Sequence, residues 1–187
     1  MIRPWQRTGS RLVGDFRVFQ LREDRAVSPR TGAELPFYVI ESVDWVNVIA
    51  VTPDDQLVLV EQYRHGSETV ELEIPGGMMD PEETCPMATA IRELREETGY
   101  EGGDARVLGR IFPNPAIQSN TCHTVLIERC QLRHPTNLDH GEDLVTRLIP
   151  FSEIPGLVAG GRFGHSLVVV ALYYYDLFRR GSTRQSP

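Results

Sequence analysis

The stretch from Gly76 to Tyr100, GGMMDPEETCPMATAIRELREETGY, constrains this chain more than any other. Two glycines mark a turn, an acidic loop follows, and a helix comes next with punctuation at both ends. Thr84 and Pro86 stand where a capping residue and a first-turn proline belong. Gly99 stands where a left-handed cap would stop the helix. Met87, Ala90, Ile91 and Leu94 recur at helical spacing and are expected to face the core.

Glu93, Glu96 and Glu97 follow one another at i, i+3 and i+4, which puts three carboxylates on one side of the helix, roughly 5–6 Å apart at their Cβ atoms. Like charges so placed repel by about 0.2–0.5 kcal/mol per pair on an exposed helix. One reading is a solvated face with Arg92 and Glu96 as an i, i+4 ion pair. The other is negative charge concentrated for a hard divalent cation such as Mg²⁺, whose shell takes carboxylate oxygens and substrate phosphates. The adjoining Gly-Gly loop favours the second.

A chain of 187 residues is long enough for one domain with a sizeable core. Its net charge of −7 argues against nucleic acid or an anionic membrane surface as a main partner. Much of the acid is local, with ten acidic residues and two arginines between Glu68 and Glu101. A polyanionic substrate would be repelled there unless cations neutralise the cluster. Three cysteines (Cys85, Cys122 and Cys130) lack metal-ligand spacing, and an odd number does not build a disulfide framework. The polar, basic start and the short apolar run Leu167–Tyr175 predict a soluble, cytoplasmic protein that does not span a membrane.

In chain order, residues 1–44 read as a strand region. Phe16–Leu21 alternates partly, Glu34–Glu41 is a strand, and SPRTGAE between them is a turn. Trp45–Val51 and Gln56–Tyr63 are strands joined by a TPDD hairpin turn, and Val70–Ile74 leads into the glycines. Arg64 ends its strand near that loop; it is either a surface arginine or a phosphate or ribose contact, since a guanidinium fork fits phosphate oxygens. Phe37, Tyr38 and Trp45 are either core aromatics or a stacking surface for a base. Strands are expected again at Arg106–Ile111, Thr121–Cys130 and Leu144–Pro150. FPNPAIQSN and residues 131–143 read as loops between them. Ser152 is expected to cap a short helix through Val158. A helix from Ser166 to about Arg180, apolar almost all round, is expected to be buried on more than one side. Residues 182–187 read as a tail.

Gly77, Glu83, Arg92, Glu93, Leu94, Glu96, Glu97 and Gly99 together resemble the Nudix box. Two departures stand out: eight residues rather than seven separate Glu83 from Arg92, and Tyr100 replaces an aliphatic. The resemblance implies an α/β/α sandwich with a mixed sheet, an α/β (α+β) fold, as a catalytic domain over 45–181. Residues 1–44 would add a small antiparallel sheet that helps form a homodimer and bind substrate. It also implies Mg²⁺, with Mn²⁺ as a substitute, held by Glu93, Glu97, Glu96 and the backbone carbonyl of Gly77. Arg92 would orient the carboxylates, and Glu83 would support the loop or the metal shell.

EQYR before the box and the late acidic loop resemble the ADP-ribose and nucleotide-sugar branch of that family. This implies hydrolysis of the diphosphate of ADP-ribose or a nucleoside diphosphate sugar to NMP and a sugar phosphate. Glu142 is the implied general base, with Glu96 as ligand or base partner and His140 or Asp143 in reserve. Asn114, in a proline-containing loop that resembles one lining the substrate cleft, is the implied substrate contact beside Arg64. The alternatives are a (d)NTP pyrophosphatase and a non-catalytic nucleotide-sensing domain.

Overall fold

The structure, a computed structural model, describes residues 1–181; the expected tail at 182–187 lies outside the described residues. The chain divides into two compact units, Met1–Asp44 with Phe112–Thr121, and Trp45–Ile111 with Cys122–Pro187.

The first unit is an antiparallel sheet of β1 (Gln6–Asp15), β2 (Gln20–Val27) and β3 (Glu34–Glu41), with β2 in the centre. The expected strand at Phe16–Leu21 is instead mostly the β1–β2 turn. Arg17 adopts a left-handed φ of 67° and the Phe16 N–H bonds the Phe19 carbonyl at 2.9 Å, so pairing resumes only at Gln20. The charges of β2 are buried yet paired: Glu23 takes Arg11 at 2.7 Å, and Asp24 takes Ser10 at 2.7 Å and Arg22 at 2.9 Å. Residues 112–121 run along the outer edge of β3, where Ile40 bonds Ile117 and Ser119 through the backbone.

The second unit is built on a mixed seven-stranded sheet. Its strands are β4 (Trp45–Val51), β5 (Gln56–Arg64), β6 (Thr69–Glu73), β7 (Gly76–Met78), β9 (Ala105–Ile111), β10 (Cys122–Glu128) and β12 (Leu144–Pro150). β8 (Tyr100–Glu101) and β11 (Gln131–Leu132) form a separate pair. β4 and β10 run parallel and the other pairings are antiparallel, as an α+β fold with a mixed sheet requires. Alternation along the strands sorts the core into two layers. Ile49, Leu57, Leu59 and Leu126 pack with α3 (Ser166–Arg179) on one face, while Val48, Val58, Val125 and Ile127 pack with α1 (Pro86–Thr98) on the other.

Both long helices differ in detail from the expectation. α1 is capped by Cys85, not Thr84, and without a side-chain bond; Pro86 opens the helix and Gly99 closes it at φ 74°. Ala90 and Leu94 face the core, whereas Ile91 is exposed, because the buried stripe follows Thr89, Ala90, Glu93, Leu94 and Glu97. α3 buries a single face, Leu167, Val168, Ala171, Leu172 and Tyr175, and leaves Tyr173 open. Ser152 caps nothing: it sits within a 3-10 turn, Phe151–Glu153, ahead of α2 (Ile154–Ala159).

Candidate active site

The buried stripe of α1 contains two glutamates where apolar side chains would ordinarily stand. Glu93 and Glu97 are 8% and 4% exposed. Burying carboxylates is costly unless something compensates the charge. Glu97 Oε2 accepts the Gly76 N–H at 3.1 Å, and Glu93 Oε1 takes Arg92 Nη1 at 2.9 Å. This compensation is incomplete. Burial pushes Glu93 up to about 7 against the pull of Arg92, and Glu97 up to about 8 against the Gly76 bond; repulsion from Glu142 adds to both.

Glycine is what lets the loop close on these groups. β7 pairs with β4 by setting Gly77 opposite Val46 and Gly76 opposite Asn47. A Cβ on Gly77 would stand 2.5 Å from Glu93 Oε1, and one on Gly76 would stand 2.2 Å from the Val46 carbonyl oxygen. Neither glycine has a positive φ, so the requirement is one of space.

Arg92 ties the assembly together. Its Nη1 bonds Glu93 at 2.9 Å and Glu96 at 3.1 Å, and its Nη2 reaches the Met78 carbonyl and Glu83, each at 3.4 Å. Against the penalty of burial, Glu93, Glu83 and Glu96 raise its affinity for its proton. Glu83 in turn accepts the Asp80 N–H at 3.0 Å and the Thr89 hydroxyl at 2.7 Å. The acidic loop is therefore pinned to the helix through Glu83 despite the extra residue before Arg92.

Gly77, Arg92, Glu93, Glu96 and Glu97 thus come together, with Glu96 half-buried and turned toward Arg92. Arg64 ends β5 and feels the charges of Glu97 and Glu142. Glu142 lies in the loop before β12. Its Oε2 accepts the Asp139 N–H at 2.9 Å, and the Asn137 N–H of the same loop bonds the Glu96 carbonyl at 2.8 Å. Asn114 belongs to the first unit, where its carbonyl closes a turn onto Ile117 and Gln118. Phe37, also in that unit, meets Trp5 edge-on at 5.2 Å. The sequence reading missed Glu73, which takes both prongs of Arg64 at 2.7 and 2.9 Å. The signal lay in the cross-strand pairing of β5 with β6, which the sequence alone does not register.

The donor set fits a hard divalent cation. Two buried carboxylates lie one helical turn apart, Glu93 compensated by Arg92 and Glu97 by the Gly76 N–H, and burial raises both above the ordinary carboxylate range for want of positive charge. Among the described residues no three His, Cys, Asp or Glu side chains form a ready-made cage. A cation that keeps several waters and binds through one or two carboxylates plus substrate phosphates needs none.

The NUDIX domain pattern matches residues 43–169. The methanol dehydrogenase activator of Bacillus methanolicus is 30% identical over 162 residues, 86% of each chain. The ADP-ribose pyrophosphatase of Bacillus subtilis (strain 168) is 29% identical over 133 residues, 71% of each chain. A solved structure described as an ADP compounds hydrolase superposes with a TM-score of 0.83 at 22% identity, covering 98% of this chain and 99% of its own. With the box residues assembled as above, the chain belongs to the Nudix family, and it shares the fold of that solved structure. Nudix hydrolases generally use a divalent metal. Among the described residues no helix is long and apolar enough to cross a membrane.

Proposed function

We propose that the chain hydrolyses the diphosphate bond of ADP-ribose or of a nucleoside diphosphate sugar, releasing NMP and a sugar phosphate. The observation that carries this reading is the pair of buried, undercompensated carboxylates, Glu93 and Glu97, closed in by Gly76 and Gly77. The name of the Bacillus subtilis relative supports the substrate class.

In this reading Glu93, Glu97, Glu96 and the Gly77 carbonyl hold Mg²⁺, and Mn²⁺ substitutes. The bound cation neutralises phosphate charge and acidifies a water. Arg92 keeps the carboxylates in register from its bonds to Glu93 and Glu96. Glu142 takes the proton of the attacking water once its carboxylate leaves the Asp139 N–H. Glu96 is the other carboxylate available to assist. Arg64 and Asn114 contact the substrate. Residues 1–44 serve as a dimerising, substrate-binding sheet and residues 45–181 as the catalytic domain of a cytoplasmic homodimer.

The test is phosphate release, coupled to a phosphatase, on ADP-ribose, nucleoside diphosphate sugars, dinucleoside polyphosphates and dNTPs with Mg²⁺, beside a Glu97→Gln control. Turnover of ADP-ribose or a sugar nucleotide, lost in the control, is the expected result. Turnover confined to dNTPs would place the chain among triphosphatases instead. A second reading, a nucleotide-dependent activator of another enzyme, draws on the name of the Bacillus methanolicus relative. Nucleotide binding without turnover would favour it.

A further inference from the structure

Glu73 is an unusual residue to find buried. It is 3% exposed, yet it stays a carboxylate: burial opposes its charge, but Arg64 and His165 outweigh that and hold it down at about 2. Both of its oxygens are engaged. Oε1 takes Arg64 Nε at 2.7 Å, and Oε2 takes Arg64 Nη2 at 2.9 Å and His165 Nδ1 at 3.0 Å. An ionised carboxylate only accepts, so His165 Nδ1 carries the donated proton. His165 is the N-cap residue of α3, so Glu73 joins the end of β5 to the start of that helix.

Strand alternation gives this triad its direction. Leu57 and Leu59 of β5 and Leu72 of β6 face α3, whereas Val58 faces α1. The β5–β6 register runs without a break from Val60↔Glu73 to Arg64↔Thr69. Arg64 and Glu73 therefore stand on the face that carries α1, the helix of Glu93 and Glu97. Arg64 is 45% exposed at its side chain, and the fork uses only Nε and Nη2. Nη1 is left to meet a phosphate oxygen.

We propose that Glu73 is a positioning residue: it fixes the plane of the Arg64 guanidinium, with His165 as its second anchor, so that the remaining prong meets the substrate's diphosphate already oriented. A lone arginine at a strand end samples many rotamers, and ordering it on binding weakens affinity; a fork onto a buried carboxylate removes that loss before the substrate arrives. The proposal rests on the reading of Arg64 as a substrate contact.

The experiment is a double-mutant cycle with ADP-ribose, using Arg64→Ala, Glu73→Gln and the pair. Each single change is expected to raise KM about tenfold with kcat within about threefold, and the pair to be no worse than Arg64→Ala alone. An unchanged KM in Arg64→Ala overturns both the reading of Arg64 and the role of Glu73. A raised KM in Arg64→Ala with additive effects in the pair leaves Arg64 standing and overturns the positioning role. The Arg64 Nε–H signal in ¹⁵N NMR needs no turnover. ADP-ribose is expected to shift it in the unmodified protein and not in Glu73→Gln. A protein that hydrolyses nothing yet shows that difference keeps the positioning role while the proposed reaction fails; the same shift in both proteins overturns it.

Discussion

The backbone N–H of Gly76 donates to Oε2 of Glu97 at 3.1 Å, joining two positions 21 residues apart. This bond is the main compensation for a carboxylate that burial raises to about 8. Glu93, its neighbour on the helix, is raised by burial to about 7.

That pair gives the cation-free protein a definite pH dependence. An acid whose folded pKa exceeds its unfolded value binds a proton in the folded state that the unfolded chain has already lost. Stability is then fully kept below about pH 4.5 and falls as pH rises through the folded values of about 7 and 8. At about 1.4 kcal/mol per pKa unit, the loss is on the order of a few kcal/mol. Calorimetry in EDTA is expected to show Tm falling between pH 6 and 8.5, and Mg²⁺ to raise Tm more at pH 8.5 than at pH 6. A flat profile, or an equal effect of Mg²⁺ at both pH values, would mean that Glu93 and Glu97 are not undercompensated in the folded protein.

Glu83 supports this arrangement from the loop. It accepts the Asp80 N–H, the buried Thr89 hydroxyl and Arg92. Glu83→Ala leaves the first two without a partner, at a cost of about 1–3 kcal/mol each where burial is retained. It also removes the Glu83 contact of Arg92 Nη2, which leaves the guanidinium that holds Glu93 and Glu96 less firmly fixed. Tm is expected to fall by several degrees, and the Mg²⁺ concentration for half-maximal activity to rise about tenfold. A lower Tm with an unchanged Mg²⁺ requirement would confine Glu83 to holding the loop.

The helix stop is equally specific. Gly99 holds φ 74°, and a Cβ there would stand 2.1 Å from the His134 carbonyl oxygen. Its own carbonyl accepts the Arg133 and His134 N–H groups at 3.0 Å each, anchoring the chain that leads to Glu142. Gly99→Ala combines a left-handed cost of about 1–2 kcal/mol with a clash against backbone. Thermal unfolding is expected to show a large drop in Tm, and hydrogen exchange to show faster opening at residues 133–134 than elsewhere. Exchange raised evenly over the second unit would instead mean general weakening.

These residues also mark how far the sequence could be read. β3, β4 and β12 fall where composition and turn residues put them, because each is bounded by clear breaks. β1 was not legible as a strand. Its side chains are almost all exposed, so no buried face imposes alternation on Gln6–Asp15. Ile91 and Tyr173 looked like core because hydrophobicity alone cannot say where a helix's buried stripe ends, and in α1 two glutamates occupy that stripe. The cluster around Arg92 was legible because its members share one helix and one loop. The Arg64–Glu73 fork was not, since it depends on strand register across a turn in which Glu68 takes φ 57°.

Glu142 offers the last test, because it bears on the site by charge as well as by its proposed chemistry. It raises the proton affinity of both Glu93 and Glu97, and its own carboxylate is engaged with the Asp139 N–H. Glu142→Gln keeps an acceptor for that N–H but removes the negative charge. With the charge gone, the two buried carboxylates ionise more easily, so cation-free Tm at pH 8.5 is expected to rise and apparent Mg²⁺ affinity to change less than about threefold. If Glu142 also removes the proton from water, kcat falls by a factor on the order of 10²–10⁴ while KM for ADP-ribose holds. A raised Tm with kcat intact would leave Glu142 as a neighbouring charge only and pass the base's role to Glu96, which faces Arg92 at 3.1 Å. Asp143 and His140 flank the same turn, and their Asn variants, assayed alongside, separate loss of a base from loss of the loop's shape.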